Sequence, residues 1–257
     1  IHLMLLVTLM LLRDRVDIDR LVWVMVISLG FYGVKGGVWT LATGGGGRVW
    51  GPPGGMLAGN NEFAVGLILI MPLMYYLFQT ATQRWVRRGL LLSIVLVAFA
   101  ILGTQSRGAL LGLLVMATVL GVKSKYPGRS IAGLATLLLV AIAFMPDSWT
   151  QRMDTIQGYQ EDTSAMSRIW TWKTLWNVAM DRPFLGAGFG ADSYSLFERY
   201  APTDPEYAVF QGKAFVAHSI YFQALGEHGF PGLAIYLLIG LWTWWAASRT
   251  AKLAKLD

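Results

Sequence analysis

Apolar runs long enough to cross a bilayer recur along the chain, and this one feature removes most folds that 257 residues could adopt. Counted at about 20 residues per crossing, they fall at Ile1 to Leu12, Leu21 to Val34, Glu62 to Gln79, Gly89 to Gly103, Gly108 to Val122, Ser130 to Met145 and Gly229 to Ala247. Several are shorter than a full crossing and must borrow flanking residues. The expected fold is all-α, a polytopic transmembrane helical bundle of about seven spans forming a single integral membrane domain over residues 1–257. The chain starts with Ile inside an apolar run and lacks the charged leading segment of a signal peptide. It is therefore expected to be a piece of a longer protein, with its first span cut.

Composition supports this class: 55% of residues are hydrophobic, 14% are charged and the mean hydropathy is +0.50, too apolar for an ordinary soluble domain. A formal charge of +6 could suggest nucleic acid, but the cations stand in small groups between apolar runs, which is the pattern of membrane orientation. No nucleic-acid partner is expected. The absence of Cys excludes disulfides, Cys-ligated zinc and thiol catalysis, and only His2, His218 and His228 could offer imidazole.

Alternate connectors differ in charge. One side carries Arg13, Arg15, Arg20, Arg84, Arg87, Arg88, Lys123, Lys125, Arg129, Arg249, Lys252 and Lys255, whereas the short loops of the other hold Lys35, Arg48 and Arg107. The first side is cytoplasmic by the positive-inside rule, so the long segment 146–217 faces outward. This parity requires 218–228 to be a short interfacial helix, with the last span starting at the Gly229-Phe230-Pro231-Gly232 break. The Lys35 to Asn61 stretch, with Gly44 to Gly47 and Gly51-Pro52-Pro53-Gly54-Gly55, is a turn-rich outer loop. Asn60 would cap the span that follows it.

Three residues of the outward side could carry chemistry. Arg107 stands in the turn Gly103-Thr104-Gln105-Ser106-Arg107-Gly108 between two otherwise uncharged spans, either as a snorkelling anchor or as a functional cation. No acidic residue is near it in sequence, and a guanidinium fork suits phosphate oxygens. Arg168 lies on an amphipathic helix of about Ser164 to Asp181, at the border of an apolar stripe of Ile169, Trp172, Trp176 and Met180 that is expected at the headgroup level. Ser167, Thr171 and Thr174 fall opposite, and Arg168 is either a surface cation or a phosphate ligand. His218, at the start of the closing helix, is either structural or a general base, since an imidazole can accept a hydroxyl proton at neutral pH. Glu227 could orient or pair, and neither it nor Tyr221 is assigned a role.

Other patterns carry less. Asp17-Ile18-Asp19 has the D-x-D form of metal-dependent sugar transferases but falls on the cytoplasmic side among Arg13, Arg15 and Arg20. Gly186, Gly188 and Ala191 fit G-x-G-x-x-A, yet a helix precedes them where a dinucleotide fold needs a strand, so they are read as a turn. There is no strong serine-hydrolase, phosphate-loop or zinc signature.

Gln105-Ser106-Arg107-Gly108-Ala109, then Ser167-Arg168-Ile169-Trp170, Asp181-Arg182-Pro183 and Gly186-Ala187-Gly188-Phe189-Gly190, then His218-Ser219-Ile220-Tyr221 with Glu227-His228-Gly229 and Gly232, together resemble the O-antigen ligase and polymerase family. Gly33 to Gly37, Arg48 to Gly54 and Asn60 to Ala64 resemble the subgroup of O-glycosylation ligases associated with exosortase systems. The resemblance covers nearly the whole chain, although such proteins carry more N-terminal spans. It implies a GT-C-like glycosyltransferase architecture in the bacterial inner membrane, with the active site facing the periplasm in a loop bearing amphipathic helices. It also implies transfer of a glycan from a polyprenyl-pyrophosphate carrier to a glycan, lipid or protein acceptor, without metal, nucleotide or other cofactor. On that resemblance Arg107 and Arg168 hold the pyrophosphate and His218 deprotonates the acceptor. A polymerase with the same chemistry and a transporter of lipid-linked sugars are the competing readings, the latter disfavoured because the ionisable candidates gather on one face instead of at mid-membrane.

Overall fold

The computed structural model describes residues 2–124, 127–147, 149 and 163–254, and among these there is no strand. Lys125, Lys255 and, within the long outward segment, residues 148 and 150–162 lie outside the described residues. The chain divides into two compact units, Ile1–Ile156 and Gln157–Asp257.

The first unit contains α1 (His2–Leu11), α2 (Arg15–Ala42), α3 (Asn60–Thr80), α4 (Arg84–Gly103), α5 (Arg107–Lys123) and α6 (Pro127–Ala143). Asp14 caps α2, its carboxylate accepting the Asp17 N–H at 2.9 Å. Of these helices α2, α3 and α4 are long and apolar enough to cross a membrane. Lipid tails give no hydrophobic drive between helices, so close backbone approach and side-chain packing must hold such a bundle. The sequence supplies both. Gly30, Gly33, Gly36, Gly37 and Thr40 form a buried small-residue stripe on α2. A Cβ built at Gly37 would lie 2.0 Å from the Leu96 carbonyl of α4, so no larger residue fits there. Around that seam Phe63, Leu67 and Met74 of α3 pack with Val97 and Ile101 of α4 and Leu113 of α5.

This corrects one expectation. Gly36 and Gly37 do not open an outer loop: α2 continues to Ala42, and the irregular stretch, with Gly44 to Gly47 and Gly51 to Gly55, is confined to 43–59. The role of Gly36 and Gly37 is helix packing, which a turn-based reading of glycine does not detect.

The second unit contains α7 (Thr163–Asp181), α8 (Tyr194–Tyr200), a 3₁₀ helix (Pro205–Phe210) and α9 (Ile220–Leu253). Trp170 of α7 is buried in an aromatic cluster, its ring 5.1 Å from Phe197 and 5.7 Å from Phe210, and its indole N–H donates to the Pro202 carbonyl at 3.0 Å. Burial pushes the Tyr207 hydroxyl of this cluster above the ordinary tyrosine range, and its hydrogen bond with Lys173 helps hold that ammonium above the ordinary lysine range.

The apolar stripe expected on α7 is its more exposed face. Thr171 and Thr174, opposite that stripe, are fully buried, while Trp176 and Met180 are exposed. Each threonine hydroxyl donates back to the carbonyl four residues earlier, Ser167 and Trp170, both at 2.8 Å. A hydroxyl satisfied within its own helix can be buried at little cost, so the polar stripe faces protein and the tryptophan stripe is left outward.

Helix α9 is long and apolar enough to cross a membrane and breaks at Gly229, where φ is +66°. Pro231 has no N–H to donate, and its ring crowds the carbonyl four residues before it. The loop after α7 supplies what the break removes. Ala187 N–H donates to the Gly226 carbonyl and Gly188 N–H to that of Glu227, both at 2.8 Å, while Phe230 N–H donates to the Pro183 carbonyl at 2.8 Å. The segment Ile220 to His228 is thus a short helix distinct from the apolar stretch beyond, which carries Trp242, Trp244, Trp245 and then Arg249 at its far end.

Candidate active site

Arg107 belongs to the first unit and opens α5. The α4 helix ends in a turn whose carbonyls are each taken by a different donor: Leu102 by the Trp149 indole at 3.1 Å, Gly103 by the Val49 N–H at 2.9 Å, and Thr104 by the Asn60 amide at 2.9 Å. Gln105 then takes φ of +54°, and Ser106 caps α5 by accepting the Ala109 N–H at 3.3 Å. The half-buried Arg107 therefore leaves a turn held from three sides, at the positive end of its helix. Asn60 was expected to cap α3. Gly59 holds that position instead, without a side-chain cap, and the Asn60 amide is spent on the turn that carries Arg107.

Arg168 and His218 both belong to the second unit, and the structure ties their neighbourhoods through Trp172. The Trp172 indole N–H donates to the carbonyl of Ala217, the residue before His218, at 2.7 Å. Its ring stacks on Phe222 of α9 with 5.1 Å between centroids and 5° between planes. Arg168 lies one turn before Trp172, about 6 Å along the helix axis. It is half-buried and forms no ion pair among the described residues. His218 has φ of +47°, a left-handed backbone that costs a non-glycine residue about 1–2 kcal/mol. Ser219 then caps α9, its hydroxyl oxygen accepting the Phe222 N–H at 3.5 Å. His218 is exposed and lines an open groove of about 610 Å³ with Trp172, Ser219, Tyr221 and Gln223. An imidazole presented this way can meet a hydroxyl from solution, and a strained backbone held by neighbours is a common device at functional positions.

Glu227 is a brace, within the orienting or pairing roles open to it from sequence. Its carboxylate, with the side chain 14% exposed, accepts from the Gln223 amide at 2.5 Å and the Gly190 N–H at 3.4 Å, and stands 3.8 Å from the His228 imidazole. It joins the glycine loop to the first part of α9. Gly186, Gly188 and Gly190 all have positive φ and follow a helix, as a turn would. The Asp17-Ile18-Asp19 carboxylates are engaged structurally: Asp17 pairs with Arg20 at 3.3 Å, and Asp19 accepts from the Tyr76 hydroxyl at 2.6 Å.

Of the three site residues read from sequence, Arg168 and His218 belong to the second unit, linked through the Trp172 bond to Ala217, while Arg107 belongs to the first. Trp172 was read only as part of an apolar stripe. Its hydrogen bond to a residue 45 positions away has no local sequence signal.

A family profile described as O-Antigen ligase matches residues 92–237, more than half of the chain. A second, described as a family of unknown function (DUF5935), matches residues 2–82. Searches of curated proteins and of solved structures find no match.

Proposed function

The chain belongs to the O-antigen ligase family, and from that premise we propose that it transfers a glycan from a polyprenyl-pyrophosphate carrier to an acceptor hydroxyl at the periplasmic face of the bacterial inner membrane. Its membership and its apolar helices make it a membrane protein of ligase or glycosyltransferase type. In the proposed reaction His218 takes the proton of the acceptor hydroxyl as its oxygen attacks the anomeric carbon. A glycosidic C–O bond forms, and the C–O bond to the pyrophosphate breaks. The electron pair of that bond leaves with the carrier, whose added negative charge Arg107 and Arg168 stabilise. Fixed guanidinium donors aimed at a developing anion can do this without reorganising, which is the usual source of large electrostatic rate effects.

One observation carries the reading: the Trp172 indole bond to Ala217 couples the helix of Arg168 to the corner of His218. A cation for phosphate and a base for a hydroxyl are the two functions that transfer to an alcohol requires. Purified protein given a lipid-linked oligosaccharide and separate acceptors tests it. Single additions to the acceptor are expected. Chain ladders would make the enzyme a polymerase, and no transfer with any acceptor would reject the proposal.

A further inference from the structure

Trp172 also lines a second groove, which none of the proposed catalytic residues lines. Its volume is about 730 Å³, within the usual range of about 300–1,000 Å³ for ligand sites. Ile169, Trp172 and Trp176 of α7 form one wall, the Ala201 to Asp204 segment forms the other, and Phe222 and Asn177 contribute to the lining. Trp176 is 47% exposed although its ring meets Phe230 edge-on, so aromatic surface remains available.

We infer that this groove is a saccharide subsite, taking a neutral or amino sugar of the transferred glycan or its acceptor. The inference rests on the glycan-transfer reading above. A sugar presents a face of weakly positive C–H groups, which suits the negative face of an indole, and an edge of hydroxyls, which needs acceptors and donors. The groove offers both. The Asp204 carboxylate makes no ion pair or side-chain hydrogen bond among the described residues, leaving two oxygens for adjacent hydroxyls. The Asn177 amide N–H donates to the Tyr200 carbonyl at 2.9 Å, which fixes the group and leaves its oxygen as a further acceptor.

The main competing occupant is lipid headgroup, which the tryptophan stripe alone would suit. Two features oppose it. The stripe is one wall of a concavity, so it cannot lie flat on a bilayer. The Lys173 ammonium, the cation in this lining, is 3.6 Å from Glu206 and is largely offset by it, so Asp204 leaves the groove unfavourable to anionic headgroups. Because Trp172 lines both grooves, a sugar held here would extend toward His218.

Direct binding tests this independently of catalysis. The full chain in lipid nanodiscs is presented to an array of oligosaccharides containing hexose, N-acetylhexosamine and uronic residues. Wild type and His218→Ala are expected to retain the same neutral or amino glycans, while Asp204→Asn and Trp176→Phe lose at least tenfold in affinity. Binding of polyprenyl pyrophosphate without sugar should be unchanged in both groove variants. No glycan retained by wild type, or equal retention by both groove variants, overturns the subsite. So does strong quenching of Trp176 by brominated lipid. If His218→Ala transfers glycan normally while the groove variants lose binding, the catalytic reading fails and the subsite stands.

Discussion

Replacing Trp172 by Phe removes one hydrogen bond and little else. The new ring can keep the stack on Phe222, now 5.1 Å between centroids, so the change isolates the bond to the Ala217 carbonyl. Ala217 is buried, and a buried carbonyl left without a donor costs about 1–3 kcal/mol. That cost has the same size as the about 1–2 kcal/mol penalty of the left-handed backbone at His218. With the bond gone, nothing from α7 offsets that penalty, and the corner relaxes to negative φ. At about 1.4 kcal/mol per tenfold, the share of molecules with His218 presented falls by roughly 5- to 150-fold. The assay is the turnover of glycan transfer at saturating donor, with a melting curve and carrier-lipid binding alongside. A fall of this size with both controls near wild type is expected. Turnover within twofold of wild type would refute the idea that α7 holds the histidine in place.

Gly186→Ala should destabilise the second unit by roughly 2–5 kcal/mol, about 1–2 from the left-handed backbone and the rest from the two loop hydrogen bonds it displaces, because its Cβ would lie 2.5 Å from the Gly226 carbonyl. An unchanged melting temperature would contradict this. Tyr207 and Lys173 both hold their protons in the folded protein more tightly than their ordinary values of 10.0 and 10.5 allow. The folded state therefore binds more protons, so stability is full below about pH 10 and falls as pH rises through it. Tyr207→Phe should flatten that slope in melting curves taken from pH 8 to 11. Transfer should continue in EDTA, and a loss that Mg²⁺ restores would bring in a metal.

Four helices able to cross a membrane were legible because apolar length reports directly on the medium, and the break in α9 because Gly229 and Pro231 cannot continue an ordinary helix. Arg107 stood out as a cation between two otherwise uncharged spans, Arg168 as a cation at the border of an apolar helix stripe, and His218 as the imidazole at the start of the closing helix. What could not be read were the pairings across the chain. Asn60 serves a turn 44 residues away, Trp172 a carbonyl 45 away, and the glycine loop a helix break whose own sequence says only that donors are missing. The burial of Thr171 and Thr174 was likewise not legible, because hydropathy scores a hydroxyl as wet, whereas one bonded within its own helix is not.

The most direct measurement is a single-turnover transfer assay on His218→Ala, paired with carrier-lipid binding for His218→Ala, Arg107→Ala and Arg168→Ala. The account predicts that the histidine variant binds carrier within about twofold of wild type and transfers nothing, while each arginine variant loses at least tenfold in carrier affinity. Normal transfer by His218→Ala, or undiminished carrier binding by both arginine variants, would contradict it.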